Sequence, residues 1–253
     1  MKIIVVLPAY NEEANIGAVL QGLANLKKNT ADAEIHAVVV DDGSSDQTST
    51  IASAQYQGVE VEVLRNEANR GLAYTFQRGM IAAIERASSS DIIVSMDADN
   101  THAMSSVAGM VHAIGLGSTV VIASRFVDGA LVRGVPLLRR ILSFGMSLLC
   151  RVMCRIPHVR DYSSGYRAFN AAFLTQAYAL HGRSLFVGEG FACMVGFILR
   201  LHELNARFSE VPIELYYDRK IGASKMPVSR SVRQTLFVLM SRRQLSTHQR
   251  LER

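Results

Sequence analysis

The sequence predicts an α/β fold, a mostly parallel sheet with helices on both faces. Three observations predict it. Short apolar runs alternate with helical segments through the first half of the chain. Those runs are apolar at nearly every position, as strands buried on both faces are, rather than at every second one. Acidic clusters follow three of the runs, in "PAYNEE", "DDGSSD" and "DAD", at the strand ends where open α/β sheets bind ligands.

Ile3, Ile4, Val5, Val6 and Leu7 make a first strand that Pro8 closes. Residues 11–26 read as a helix with Ile16, Leu20 and Leu23 on one face. A second strand covers 37–40, and a helix over 45–55 follows with Ser45 or Asp46 as its N-cap. Strands over 59–64, 92–96 and 120–123 alternate with helices over 74–87 and 105–114. In the second half, 139–156 form a basic amphipathic helix. Its apolar stripe is Leu142, Met146, Leu149 and Met153, and Arg140, Ser143, Ser147, Arg151 and Arg155 lie mostly elsewhere. "DYSSGYRAF" reads as a hairpin or loop, 191–201 as a helix, "FSEVPIEL" as a strand and "SRSVRQTLFVLMSRRQ" as a second basic amphipathic helix.

The 253 residues fit one domain, 1–253, with 49% hydrophobic residues and a formal charge of +5. That charge suits anionic partners, phosphates or a membrane surface, without choosing between them. No nucleic-acid partner is expected. Three cysteines are too few for a disulfide framework and indicate a reducing, cytoplasmic compartment. Cys150, Cys154 and His158 have a spacing that invites a metal, but Pro157 breaks the helix before His158, and paired cysteines on an apolar stretch read as core. The short N-terminal apolar run, ended by Pro8 and followed by acids, is not a signal peptide. No run reaches the ~18 apolar residues of a membrane span, so the expectation is a soluble or peripheral protein.

Asp97 and Asp99 pose a physical problem, because two carboxylates crowded at one strand end repel each other. A bound cation removes the conflict. Oxygen ligands at that spacing suit Mg²⁺ or Mn²⁺, which keep waters and bridge to substrate phosphates. Each acidic piece alone is an ordinary turn or helix cap; their recurrence at successive strand ends marks a site. No phosphate loop, dinucleotide G-x-G-x-x-G, H-E-x-x-H or G-x-S-x-G motif is present, which argues against P-loop NTPases, dehydrogenases, metalloproteases and α/β-hydrolases.

"LPAYNEE", "VVVDDGSSD", "NRGLAYTFQRG" and "MDADNTH" resemble the nucleotide-sugar-binding half of family 2 glycosyltransferases of the GT-A fold, with its Rossmann-like sheet. "ASRF", "RRILS", "DYSSGYRAF", "SEVPIEL" and "YDRKIGASKM" resemble the dolichyl-phosphate mannosyltransferase group, the polyprenyl-phosphate glycosyltransferases. The resemblance runs over 2–240. It implies a nucleotide-sugar-binding half, 1–125, and an acceptor-side half, 126–240. Pro8, Ala9, Tyr10, Glu12, Asp41 and Asp42 then surround base and ribose. Asp97 and Asp99 flank a Mg²⁺ or Mn²⁺ ion and the diphosphate. Arg125, Arg139 (or Arg140, one residue on) and Lys225 match basic residues that contact phosphate groups, and Asp161, Ser164 and Arg167 are candidates for shaping the acceptor side.

The implied reaction is inverting transfer of a hexose from a GDP-mannose or UDP-glucose type donor to a polyprenyl phosphate. It places the chain peripherally at the cytoplasmic face of the membrane, directly or through a membrane partner protein. Two departures stand out. Thr101 occupies the place of a frequent metal-motif Gln, and no Glu stands near Met194 or Gly196, although Glu189 is close in sequence. An acceptor phosphate tolerates the missing Glu, since it is already largely ionised at neutral pH; a sugar hydroxyl needs a general base. A glycan-extending family 2 enzyme and a non-catalytic sugar-nucleotide-binding module remain the alternatives. The absence of Trp removes the Gln-x-x-Arg-Trp motif of processive members.

Overall fold

The apolar runs do become buried strands, and period-2 alternation divides them between two cores. In β1 (Lys2–Ala9), Ile4 and Val6 face one side of the sheet, while Ile3, Val5 and Leu7 face the other. The first side is covered by Phe76 and Met80 of the helix Leu72–Arg86, the second by Ile16, Leu20 and Leu23 of the helix Ile16–Asn29. Burying each such aliphatic side chain contributes roughly 1.5–3 kcal/mol, so a strand loaded on both faces demands helices on both faces. The computed structural model describes residues 1–29, 33–222 and 228–251.

The first half runs β1, α1 (Ile16–Asn29), β2 (Glu34–Asp41), α2 (Thr48–Ala52), β3 (Val59–Arg65), α3 (Leu72–Arg86), β4 (Ile92–Ser95), α4 (Ser105–Gly115) and β5 (Val120–Ser124). It continues with β6 (Leu131–Arg133), α5 (Leu137–Cys154), β7 (Arg167–Asn170), α6 (Ala171–His181), α7 (Ala192–Glu203), β8 (Phe208–Pro212), β9 (Glu214–Tyr216) and α8 (Val228–Leu251). Among the described residues seven strands form one sheet in the order β3-β2-β1-β4-β7-β5-β8, and β6 pairs with β9 in a small second one. The large sheet is parallel except for β7, which runs antiparallel to both β4 and β5.

Several elements differ from the sequence reading, each for a local reason. The first helix starts at Ile16 rather than at 11, because Asn11 is left-handed (φ 51°) and accepts the Ser45 N–H at 2.9 Å. The same cross-links shorten α2: Ser45 and Gln47 give their N–H groups to Asn11 and Glu13 instead of to a helix. Of "DYSSGYRAF", only the end becomes a strand, and it is threaded between β4 and β5 rather than folded into a hairpin. "FSEVPIEL" breaks after Pro212 and continues into the second sheet. The sequence reading lacks β6 and α6; Asn170 caps α6 by accepting the Phe173 N–H at 3.0 Å.

The helix α5 is not a simple inside-outside amphipath. Ser147, Cys150 and Cys154 are its buried residues. Leu138, Ile141, Leu148 and Val152, at helical spacing along another face, are all exposed, and Leu142 and Met153 of the expected stripe are exposed as well. Phe237 and Met240 of α8 are exposed too. Among the described residues no helix is long and apolar enough to cross a membrane.

Candidate active site

A cleft of about 990 Å³ opens beyond the carboxyl ends of β1, β2, β4 and β5. Pro8, Ala9, Tyr10 and Glu12 enter it from β1, Asp42 from β2, Asp97 and Asp99 from β4, and Arg125 and Phe126 from β5. Arg139 and Arg140 of α5, Ser164 before β7 and Lys220 of the segment after β9 line it as well. The cleft is two-sided: Val135, Leu137, Ile141, Leu142, Phe144 and Val232 give it an apolar wall between α5 and α8.

The turn after β2 shapes the floor near β1. Asp42 accepts three hydrogen bonds, from Asn66 Nδ2 (2.7 Å) and the backbone N–H groups of Arg70 (2.9 Å) and Gly71 (2.8 Å). It thereby fixes the entry to α3 against the cleft. Gly43 has φ 71°, and a Cβ there would lie 2.6 Å from the backbone of Ala68, so only glycine lets the two turns approach.

Asp99 is held from both of its oxygens. Its Oδ1 accepts from the Thr101 N–H (3.2 Å) and hydroxyl (2.7 Å), and its Oδ2 accepts from Lys220 Nζ at 2.7 Å. Burial by itself would raise its pKa, but nearby His102 and the Lys220 bond outweigh that and hold it below the usual carboxylate range. Asp97 is freer: 41% of its side chain is exposed to the cleft. Partial desolvation, opposed by His102 and reinforced by the Asp99 charge, leaves it above the usual range. His102 braces this loop. Its Nδ1 accepts the Asp97 N–H at 3.3 Å, and its ring stacks on Tyr166 with centroids 4.7 Å apart.

These carboxylates fit a divalent cation. They are hard oxygen donors, and a cationic ammonium already lies against one of them. Among the described residues no cluster of three or more His, Cys, Asp or Glu side chains forms a full metal cage. The remaining coordination would fall to water and phosphate, as magnesium sites at phosphates commonly arrange. Thr101 spends its hydroxyl on Asp99.

Three of the expected site residues are buried beside the cleft rather than lining it. Asp41, fully buried, accepts from the Ser44 N–H (2.9 Å) and the Ser49 hydroxyl and builds the turn. Arg167, also fully buried, donates to the carbonyls of Met194 (2.7 Å) and Tyr162 (2.8 Å) and ties β7 to α7. Burial pushes its pKa down to about 10, which leaves it charged at neutral pH. Asp161 is fully buried and grips Arg125. Lys225 lies outside the described residues.

Lys220, His102 and Tyr217 are among the cleft residues that sequence reasoning missed. All three lie within the motifs that carry the family resemblance, but only the fold brings Lys220 to Asp99, 121 residues away. Arg139 Nη1 donates to the Tyr217 hydroxyl, and its guanidinium lies 5.3 Å from that ring's centroid. A Cβ at Gly196 would lie 2.1 Å from the Val187 carbonyl oxygen, so any side chain there forces the backbone to shift.

Residues 4–180 match the family model described as glycosyl transferase family 2. The chain is 29% identical to a polyprenol monophosphomannose synthase of Mycolicibacterium smegmatis, over 92% of this chain and 84% of that one. It is 30% identical to an undecaprenyl-phosphate mannosyltransferase of Micrococcus luteus, over 89% of this chain and 88% of the other. Among solved structures, glucosyl-3-phosphoglycerate synthase from Mycobacterium tuberculosis, crystallised with Mn²⁺, UDP and glucosyl-3-phosphoglycerate, superposes with a TM-score of 0.63 at 22% identity. That superposition covers 95% of this chain and 79% of the synthase. The same synthase has also been crystallised with Mg²⁺ and UDP. The likeness supports the expected GT-A architecture.

Proposed function

We propose that this chain, which belongs to glycosyl transferase family 2 and is a glycosyltransferase, moves one hexose from a nucleoside-diphosphate sugar to a polyprenyl phosphate. The observation that carries the reading is the two-sided cleft. Paired carboxylates and arginines line one part of it, and an apolar wall of α5 and α8 lines another. A lipid phosphate has that same division between an anionic head and an apolar chain. The mycobacterial relative is named for a polyprenol monophosphomannose product and the micrococcal one for mannosyl transfer with undecaprenyl phosphate, which supports the same acceptor class.

In this reading Pro8, Ala9, Tyr10, Glu12 and Asp42 take the nucleoside, and Asp41 acts from behind as the turn that holds Asp42 in place. Asp97 and Asp99 would hold Mg²⁺ or Mn²⁺, which supplies charge neutralisation for the leaving diphosphate. Arg125, Arg139 and Arg140 bring the acceptor phosphate beside the donor despite the repulsion of the two anions. Ser164 helps shape that side, and Lys225 is proposed to assist from outside the described residues. An acceptor phosphate with a second pKa of about 6 needs little help in losing its proton. A single displacement at the anomeric carbon inverts its configuration, and the cationic groups stabilise charge on the departing diphosphate. The exposed apolar face of α5, with Arg140 and Arg151 on the same helix and Arg155 at its C-cap, supports peripheral attachment to a membrane surface; its cytoplasmic face is part of the proposal.

The test is a transfer assay. Purified protein, Mg²⁺ or Mn²⁺ and a polyprenyl phosphate are incubated with each labelled nucleotide sugar in turn, beside an Asp99→Ala control. Label entering the lipid phase with one donor, and lost in the control, establishes the reaction and identifies the sugar. Donor binding with no lipid product overturns the acceptor assignment.

A further inference from the structure

We infer that Asp161 is a positioning residue that aims Arg125 at the acceptor phosphate, an inference that rests on the phosphate-contacting role proposed for Arg125. Asp161 Oδ2 accepts from Arg125 Nε at 2.7 Å and from the Arg125 backbone N–H at 3.1 Å, while Oδ1 accepts from Nη2 at 2.6 Å. The Ser163 hydroxyl accepts a further Nη2 bond at 2.7 Å. One edge of the guanidinium is thus fully occupied. Among the described residues Nη1 makes no hydrogen bond, and the side chain keeps 23% of its surface exposed where it lines the cleft. Nη1 is the donor left for a ligand.

The grip itself is anchored. Glu210 Oε1, on β8, accepts the backbone N–H groups of Arg160 (2.6 Å) and Asp161 (2.7 Å). Ser164 gives its N–H to Asp161 Oδ1 (3.1 Å) and its hydroxyl to the Ala123 carbonyl on β5 (2.8 Å). The 160–164 loop is therefore fastened to β5 and β8. An arginine on a free stem loses rotamer freedom when it meets a phosphate; one locked beforehand does not. The pair carries no net charge, so its contribution is a fixed donor direction, and long-range attraction falls to the other cations. A misplacement of about 1 Å in such a group can cost a hundredfold in rate.

The experiment is a double-mutant cycle on kcat/KM for polyprenyl phosphate, using Arg125→Lys, Asp161→Asn and the double variant, with nucleotide-sugar binding measured by calorimetry. The expected result is a loss of about a hundredfold in each single variant, no further loss in the double, and donor affinity within about twofold of wild type. Losses that multiply, or a parallel loss of donor binding, show a merely structural carboxylate and overturn the proposal. Wild-type transfer by Arg125→Lys overturns the role of Arg125 and the proposal with it. Absence of lipid product from the wild type with every donor overturns the acceptor reading instead. If Asp161→Asn fails to fold, Ser163→Ala takes its place. It removes one Nη2 acceptor, and its several-fold loss must vanish in the Arg125→Lys background.

Discussion

Lys220 Nζ lies 2.7 Å from Asp99 Oδ2, with 11% and 14% of the two side chains exposed. Burial by itself would lower the Lys220 pKa, but the Asp99 bond more than compensates and holds it above its ordinary value. The pair is therefore ionised across the neutral range. The segment carrying Lys220 is also stitched to α1's approach. Asn15 accepts the Ile221 N–H at 3.0 Å and donates back to the Ile221 carbonyl at 3.0 Å.

A resident ammonium and a divalent cation compete for the same carboxylate. Replacing Lys220 by Met removes the competitor while keeping the stem's bulk. Mn²⁺ binding to the nucleotide-free protein, read by electron paramagnetic resonance, is expected to tighten about tenfold, or about 1.4 kcal/mol. Unchanged or weaker binding would show that the lysine helps to build the metal site rather than oppose it.

His36 adds an acid-sensitive element far from the cleft. It is buried on β2, with Glu60 at 4.0 Å and Glu62 at 3.8 Å, and among the described residues neither ring nitrogen has a hydrogen-bond partner. Burial lowers its pKa below 6.5, against the pull of Glu60 and Glu62 and with the help of Lys2 and Arg86. A group depressed in the folded state contributes stability that is whole above pH 6.5 and is lost as pH falls through the folded value. The melting temperature is expected to begin falling below about pH 6.5, and His36→Gln is expected to flatten that part of the profile. An unaltered profile in the variant would move the effect to other groups.

Gly196 sits in α7 where the helix backbone meets the Val187 carbonyl, with a hypothetical Cβ only 2.1 Å from that oxygen. The obstacle is backbone, not a flexible side-chain end, so relief requires α7 to shift. Gly196→Ala is expected to cost about 3 kcal/mol, the upper part of the usual overpacking range, measured from the urea midpoint. Introducing Glu here to restore an acid near the cleft is expected to unfold the protein rather than to change its acceptor. A stable Gly196→Ala variant would contradict the packing argument.

The elements that local pattern can encode were legible in the sequence. Ile92, Ile93 and Val94 announce β4 by their apolarity, and Asp97 and Asp99 line the cleft because they follow it. Adjacent Asp41 and Asp42 show the limit. Both follow from the same motif, yet one turns into the protein and only the other reaches the cleft. The motif marks Asp161 as an acceptor-side residue without showing its partner: Arg125 is 36 residues away, and no periodicity joins them. β7 was hidden for the same reason: both of its partner strands are remote in sequence.

The exposed face of α5 gives the last prediction. Leu138 (69%), Leu148 (47%) and Val152 (59%) present their side chains to solvent along one face, where burial elsewhere would gain roughly 1.5–3 kcal/mol each. None of the three lines the cleft, so attachment can be separated from chemistry. Leu138→Glu combined with Val152→Glu removes two apolar anchors and adds charges that anionic lipid repels. Sedimentation with vesicles of phosphatidylcholine and phosphatidylglycerol is expected to show binding weaker by about a hundredfold or more. Transfer to a short-chain, water-soluble acceptor phosphate is expected to persist in the same variant, because Asp97, Asp99 and Arg125 are untouched. Equal vesicle binding by variant and wild type would locate membrane attachment elsewhere on the molecule.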